Sequence, residues 1–284
     1  MPRLAWAVLA VVLVSCVGVA TAVQLDKFGK GRPAAGPRAE PEKRAPVVFV
    51  LGDSYTVGIR GLPPERAYAA ETARALGWQI VVAGQARTGF ANTIGTTASF
   101  ASLFGAQLAW RPEPDMVLIS GGHNDVRMPP GVITEKASAL LETVRSRWPR
   151  TQVVLMGPMW GGDPGPKALM VRDALRGVAS SRRIPFIDPL AGRWITGNPR
   201  KGTGNAARLI RQDGTHPNPQ GNRHIAERLA GDLRAMKLDK PVLGRTKVTY
   251  TPPAQPDAAP TISSTQQEVP GADGADGRRA GARP

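Results

Sequence analysis

Short apolar runs recur along the chain at Val47–Leu51, Gln79–Ala83, Met116–Ser120, Gln152–Met156 and Ile184–Ile187. They are rich in Val, Ile and Leu and nearly continuous in hydrophobicity, the pattern of strands buried on both faces of a parallel sheet. The segments between them switch to helical periodicity. From Thr134, the residues Ala137, Leu140, Leu141, Val144 and Trp148 fall on one face, and Pro149 stands just past the end. Near the C-terminus, Asn218-Pro219 supplies a cap and first turn, and Ile225, Leu229, Leu233 and Met236 form the stripe to be buried. Strands alternating with helices predict an α/β fold, a three-layer α/β/α sandwich around a five-stranded, mainly parallel sheet. Functional loops are then expected at the carboxyl ends of the strands.

The two ends have a different character. Leu4 to Val23 is a run of 20 apolar or small residues after Met1-Pro2-Arg3. At 1.5 Å per residue it is long enough to cross a hydrocarbon core. Ala20-Thr21-Ala22 also fits a signal-cleavage site, and Leu13-Val14-Ser15-Cys16 resembles a bacterial lipobox, although the run stays apolar past Cys16. Residues 1–23 are therefore a signal peptide or membrane anchor, and all three readings export the remainder of the chain. Lys27, Lys30, Arg32, Lys43 and Arg44 pull the other way, because positive charge after a span favours a cytoplasmic orientation. Residues 24–46 are rich in Pro, Gly and charge and read as a linker. Residues 244–284, Pro/Ala/Gly-rich with few large apolar side chains, read as a disordered tail. The domain proper is expected at 47–243, in an exported, membrane-anchored or secreted protein of a bacterial cell envelope.

Composition narrows the chemistry. The 284 residues are 42% hydrophobic, enough for a core, and the single cysteine excludes an internal disulfide framework or a cysteine-rich zinc site. There are only three histidines, so candidates for a general base are few. The net charge is +15, of which +10 falls in 47–243 and thus in the folded part. No basic helix or aromatic-interleaved strand accompanies that charge, so nucleic acid is not the expected partner. Anionic glycans are favoured by long-range attraction.

Three short segments carry chemistry. After the first strand, Gly52-Asp53-Ser54 places a serine where a loop enters a helix, so that its hydroxyl faces a cleft and its N–H points at an anion. After the third strand, Gly121-Gly122-His123-Asn124-Asp125 presents an asparagine amide able to donate to developing negative charge, with His123 structural or supporting. Before the last helix, Asp213-Gly214-Thr215-His216 spaces a carboxylate and an imidazole to meet on one turn, the carboxylate fixing the tautomer. Each segment alone also reads as local turn and cap chemistry. His224, inside the last helix, reads as a packed or surface side chain.

Together and in this order they resemble the SGNH/GDSL hydrolase family, with its GDS serine, block-two glycine, GxND asparagine and DxxH pair. The resemblance spans about residues 47–238 and implies the flavodoxin-like SGNH hydrolase fold. It implies Ser54 as nucleophile, His216 as general base and Asp213 as its orienting partner. Ser54 N–H and the Asn124 side chain would be two donors of the oxyanion hole. The second block departs from the family in Val82-Ala83-Gly84-Gln85-Ala86-Arg87-Thr88-Gly89. Gly89 is taken as the third donor, with Arg87 as the alternative, since the most natural register puts Arg87 at the glycine position. The resemblance implies no metal and no organic cofactor. The expected function is an exported or membrane-tethered serine esterase acting through an acyl-enzyme on a small-molecule or glycan ester, with O-acetyl groups of envelope carbohydrate favoured. An O-acyltransferase using the same serine, or a decayed glycan-binding module, are the alternatives. Met159 and Trp160 are candidates to line the acyl pocket. The oligomeric state is left open.

Overall fold

The computed structural model describes residues 44–59, 61–93 and 98–244. The expected leader at 1–23 and nearly all of the linker and tail lie outside the described residues. Five parallel strands form one sheet: β1 (Val47–Gly52), β2 (Gln79–Gly84), β3 (Met116–Ser120), β4 (Gln152–Met156) and β5 (Phe186–Ile187). Their order is β2-β1-β3-β4-β5, with Gly52 paired to Gly84 on one side and to Ser120 on the other. The last strand begins two residues later than its hydrophobic run, because Pro185 has no N–H to give to the ladder. The helices are α1 (Ser54–Val57), α2 (Tyr68–Leu76), α3 (Phe100–Leu103, continued by a wider turn over Phe104–Leu108), α4 (Pro130–Arg147) and α5 (Pro166–Ser181). Two more complete the set, α6 (Ala206–Leu209) and α7 (Pro219–Ala235).

Alternation along the strands divides the core into two layers. Phe49, Leu51, Val117, Ile119, Val153 and Leu155 face α3, α4 and α5, while Val48, Val50, Met116, Leu118, Val154 and Met156 face α2 and α7. Helix α4 carries the predicted stripe of Ala137, Leu140, Leu141 and Val144, and it starts at Pro130, whose missing N–H is harmless in a first turn. It ends at Arg147 because Pro149 drives Trp148 out of helical angles, to φ −134° and ψ 79°. The indole of Trp148 turns into the core, edge-on to Phe49 and Phe104 at 5.4 and 5.1 Å between centroids. In α7 the Asn218 side chain accepts the Gly221 N–H at 2.9 Å, and Ile225, Leu229 and Leu233 are buried.

Strand order decides where a site can lie. The chain leaves β1 toward β2 on one side and later enters β3 on the other, so the loops after β1 and β3 part and leave a crevice at their carboxyl ends. Among the described residues no helix is long and apolar enough to cross a membrane.

Candidate active site

Ser54 opens α1 directly beyond β1. Gly52 is required there, since a Cβ would collide with Thr56 and come 2.8 Å from the Ser120 carbonyl. Asp53 caps the helix, its Oδ1 accepting the Tyr55 N–H at 3.0 Å, and its carbonyl accepts from Thr56 and Val57. Ser54 thereby stands at a helix start with its own N–H bonded to nothing among the described residues. Burial pushes the Asp53 carboxyl up to about 7; the Tyr55 N–H opposes the rise and the nearby Asp125 adds to it.

The Asp213–His216 turn comes from the far end of the chain. It is closed by an antiparallel bridge between Ile210 and Pro217 and by the Arg211 N–H donating to the His216 carbonyl at 2.8 Å. Asp213 Oδ1 accepts the N–H groups of Thr215 and His216, each at 2.9 Å, and Oδ2 meets His216 Nδ1 at 2.9 Å. Burial works to raise this carboxyl, but the His216 and Thr215 N–H groups and the imidazole hold it below its ordinary value. His216 Nε2 lies 2.9 Å from Ser54 Oγ. An Nδ1–H donated to Asp213 leaves Nε2 as the acceptor for the serine proton, the tautomer that this network selects. Tyr55 fastens the turn to α1: its hydroxyl donates to the Thr215 carbonyl at 2.6 Å, and its ring lies 5.6 Å from that of His216.

The remaining candidate donors lie on the loops after β2 and β3. Asn124 sits on a 3-10 turn, His123–Asp125, that follows Gly122 at φ +114°. One hydrogen of its amide goes to the Thr88 carbonyl at 2.9 Å; the other meets only a long 3.4 Å contact with Asp53 Oδ2, too weak to hold it against a better acceptor. Asp125, fully buried, accepts the N–H groups of Phe90, Ala91 and Asn92 at 3.1, 2.9 and 2.7 Å. Burial raises the Asp125 carboxyl, and these three bonds moderate the rise. The second block is thus moored to the third.

Within that block the two donor candidates separate. Gly89 donates its N–H to the Asn92 carbonyl at 3.0 Å, so that hydrogen is already engaged. A Cβ on Gly89 would lie 2.5 Å from both Asp125 oxygens, so this glycine serves the mooring. Arg87 adopts φ +67°, the left-handed region that glycine fills most easily, and its N–H bonds to nothing among the described residues.

His123 bonds through Nδ1 to the Met159 carbonyl at 3.2 Å and packs on Trp160 and Tyr55 at 4.4 and 5.4 Å between ring centroids. Burial lowers its basicity, and the neighbouring His216 adds to the effect. His224 Nε2 bonds to the Trp194 carbonyl at 2.8 Å, away from the serine. Met159 is buried and borders an apolar cavity of only about 10 Å³, no room for an acyl chain. Trp160 is half-exposed and lines a polar groove of about 210 Å³ beside Gly214. Among the described residues no three His, Cys, Asp or Glu side chains are grouped to hold a metal ion. Tyr55 and Asp125 are the parts that sequence reasoning missed. Nothing local links Tyr55 to a carbonyl 160 positions away, and Asp125 looked like a turn residue.

A parallel α/β sandwich with a serine, an imidazole and a carboxylate in line at the end of its first strand is the architecture of an SGNH hydrolase. Residues 50–224 match the GDSL-like lipase/acylhydrolase family, and the chain belongs to that family of ester-hydrolysing enzymes. A GDSL lipase of Mycobacterium tuberculosis is 29% identical over 240 residues, 78% of this chain and 96% of that one. Est24, a carbohydrate acetylesterase from Sinorhizobium meliloti, shares the fold with a TM-score of 0.52 at 18% identity, over 67% of this chain and 99% of the other. A family two carbohydrate esterase from Clostridium thermocellum, solved with cellohexaose, also gives 0.52 at 18% identity, over 69% and 66%.

Proposed function

We propose that the protein is a serine esterase that removes O-acetyl groups from carbohydrate through an acyl-enzyme, with Ser54 as nucleophile, His216 as general base and Asp213 as its orienting partner. What carries the reading is the unbroken chain of contacts from Ser54 Oγ to His216 Nε2 and from Nδ1 to Asp213, 2.9 Å at each step. His216 takes the hydroxyl proton as Oγ attacks the ester carbonyl, and Asp213 steadies the imidazolium. The tetrahedral oxyanion is received by the N–H of Ser54, the Asn124 amide hydrogen held only by the long contact to Asp53, and the N–H of Arg87. Collapse expels the alcohol, which takes the proton from His216, and water repeats the sequence on the acyl-enzyme.

Hydrolysis is favoured over acyl transfer to a sugar hydroxyl because the base is open to solvent, with 23% of the His216 side chain exposed and 41% of Asp213. The carbohydrate reading draws on the structural neighbours named for that activity and on the positive charge of the domain. The apolar run at 4–23 supports export or tethering at a cell envelope. Ser54→Ala should abolish turnover of an activated acetyl ester and labelling by a fluorophosphonate probe while the thermal unfolding curve is retained; undiminished turnover would overturn the assignment. Product analysis with and without an acceptor glycan separates hydrolysis from transfer.

A further inference from the structure

The polar groove beside the Asp213–His216 turn has a specific chemistry. Residues 189–212, which lead from β5 to that turn, contain Arg193, Arg200, Lys201, Arg208 and Arg211 and no Asp or Glu. Among the described residues none of these five is in an ion pair, whereas Arg74, Arg150, Arg172, Arg176 and Arg182 all are. Arg200 lies over Gly214, its Nε 3.3 Å from where a Cβ on that glycine would be. It lines the groove together with Trp160, Asp163 and Asn198. Asn198 uses its oxygen to cap the N–H groups of Arg200 and Lys201 at 2.9 and 3.2 Å, which leaves its amide hydrogens to the groove. Neither the Arg200 guanidinium nor the Asp163 carboxylate bonds to a protein group among the described residues, and the two do not pair with each other although both border the groove.

These groups ask for one kind of ligand. The volume of about 210 Å³ is many times the roughly 10–15 Å³ that a single water needs and admits a group the size of a sugar ring. Trp160, packed on one side against His123, borders the groove with aromatic surface suited to a sugar ring. Asp163 and the Asn198 amide suit hydroxyl groups. Arg200 is matched by a carboxylate, which its planar fork binds through two parallel hydrogen bonds. Asp163 repels any anion in the groove, and a phosphate, carrying more charge, more strongly than a carboxylate, which disfavours phosphate relative to the carboxylate that Arg200 matches.

We propose that this groove is a subsite for a carboxylate-bearing sugar residue of the substrate, stacked on Trp160 and held by Arg200, next to the ester being cleaved. The inference rests on the esterase reading and adds the class of alcohol. The full-length enzyme is assayed on an O-acetylated uronic acid glycoside, its carboxyl-reduced neutral counterpart and the corresponding sugar phosphate, with a small activated acetyl ester as reference. The acidic sugar should have the highest kcat/KM. Arg200→Gln should lower the acidic-to-neutral ratio about tenfold or more, through KM, and Arg200→Lys should restore part of it. Trp160→Ala should weaken both sugars. Arg74→Gln removes the same charge at the opposite edge of the sheet, near the start of β2, and should leave the ratio unchanged. An acidic-to-neutral ratio near one in the wild type, an equal loss on both sugars in Arg200→Gln, a shift of the ratio in Arg74→Gln as large as in Arg200→Gln, or a preference for the phosphate overturns the proposal. If the activated ester is cleaved and Ser54→Ala abolishes that cleavage, such a result removes the subsite alone. If the activated ester is not cleaved, or Ser54→Ala still cleaves it, the esterase reading falls first.

Discussion

Substituting Arg87 and Gly89 in turn tests how the second block works. At φ +67°, Arg87 holds a conformation that costs a side-chain-bearing residue about 1–2 kcal/mol, and glycine returns some 0.5–1 kcal/mol of that through its unfolded-state entropy. Arg87→Gly should therefore stabilise the protein by about 1 kcal/mol or less, raising the midpoint of thermal unfolding by roughly 2–4 °C per kcal/mol. It keeps the N–H, so kcat on a neutral activated ester should fall by much less than the 10²–10³ typical of a lost oxyanion donor. Gly89→Ala should do the reverse. Its Cβ would lie 2.5 Å from both oxygens of Asp125 and force that carboxylate off the N–H groups of Phe90, Ala91 and Asn92. Overpacking alone costs about 1–3 kcal/mol, and disturbed charge-assisted bonds add to it. Thermal unfolding and kcat, measured on both variants, decide. A 10²–10³ fall in kcat for Arg87→Gly with stability retained would move the catalytic role to the guanidinium, and a Gly89→Ala enzyme unchanged in both readouts would refute the mooring.

Asn124→Ala should lower kcat by about 10²–10³, since its loss removes one proposed donor to the oxyanion. It should also cost about 1–3 kcal/mol of stability, because the buried Thr88 carbonyl loses its 2.9 Å partner. Steady-state kinetics on the activated ester and thermal unfolding read the two effects. Tyr55→Phe leaves the Thr215 carbonyl without its 2.6 Å partner and should cost about 1–3 kcal/mol of stability. The His216 turn is then less well placed, so kcat should fall while KM holds. The raised Asp53 carboxyl makes the folded protein keep a proton that the unfolded chain releases between pH 3.8 and about 7. Stability should then decrease as pH rises through that window, by up to ~4 kcal/mol from this group. Asp53→Asn should flatten the slope, as denaturant titrations at several pH values would reveal.

The features legible in the sequence were those fixed by local pattern. All five strands announce themselves as Val- and Ile-rich runs, and β5 differs only where Pro185 withholds an N–H from the ladder. Helix α4 begins at Pro130, earlier than the stripe read from Thr134, and Ile133, fully buried in its first turn, extends that stripe by one position. Ser54, Asn124, Asp213 and His216 lie in short blocks whose order is itself informative, and the structure brings Ser54, Asp213 and His216 into direct contact. The choice between Arg87 and Gly89 depended on a backbone angle, which composition does not encode. The Tyr55 hydroxyl and the Asp125 carboxylate act through partners 160 and 33–35 positions away. Only the fold reveals such pairings.

The bond from Tyr55 to the Thr215 carbonyl joins two halves with separate origins. One half, built on the strand ends, holds Ser54 and the proposed oxyanion donors; the other is the excursion after β5, which carries His216, the proposed general base, and walls the groove. Exchanging that excursion between relatives would transplant substrate choice and proton transfer as one cassette while the attacking half stays put. A single tyrosine hydroxyl is the latch that a grafted segment would have to find again.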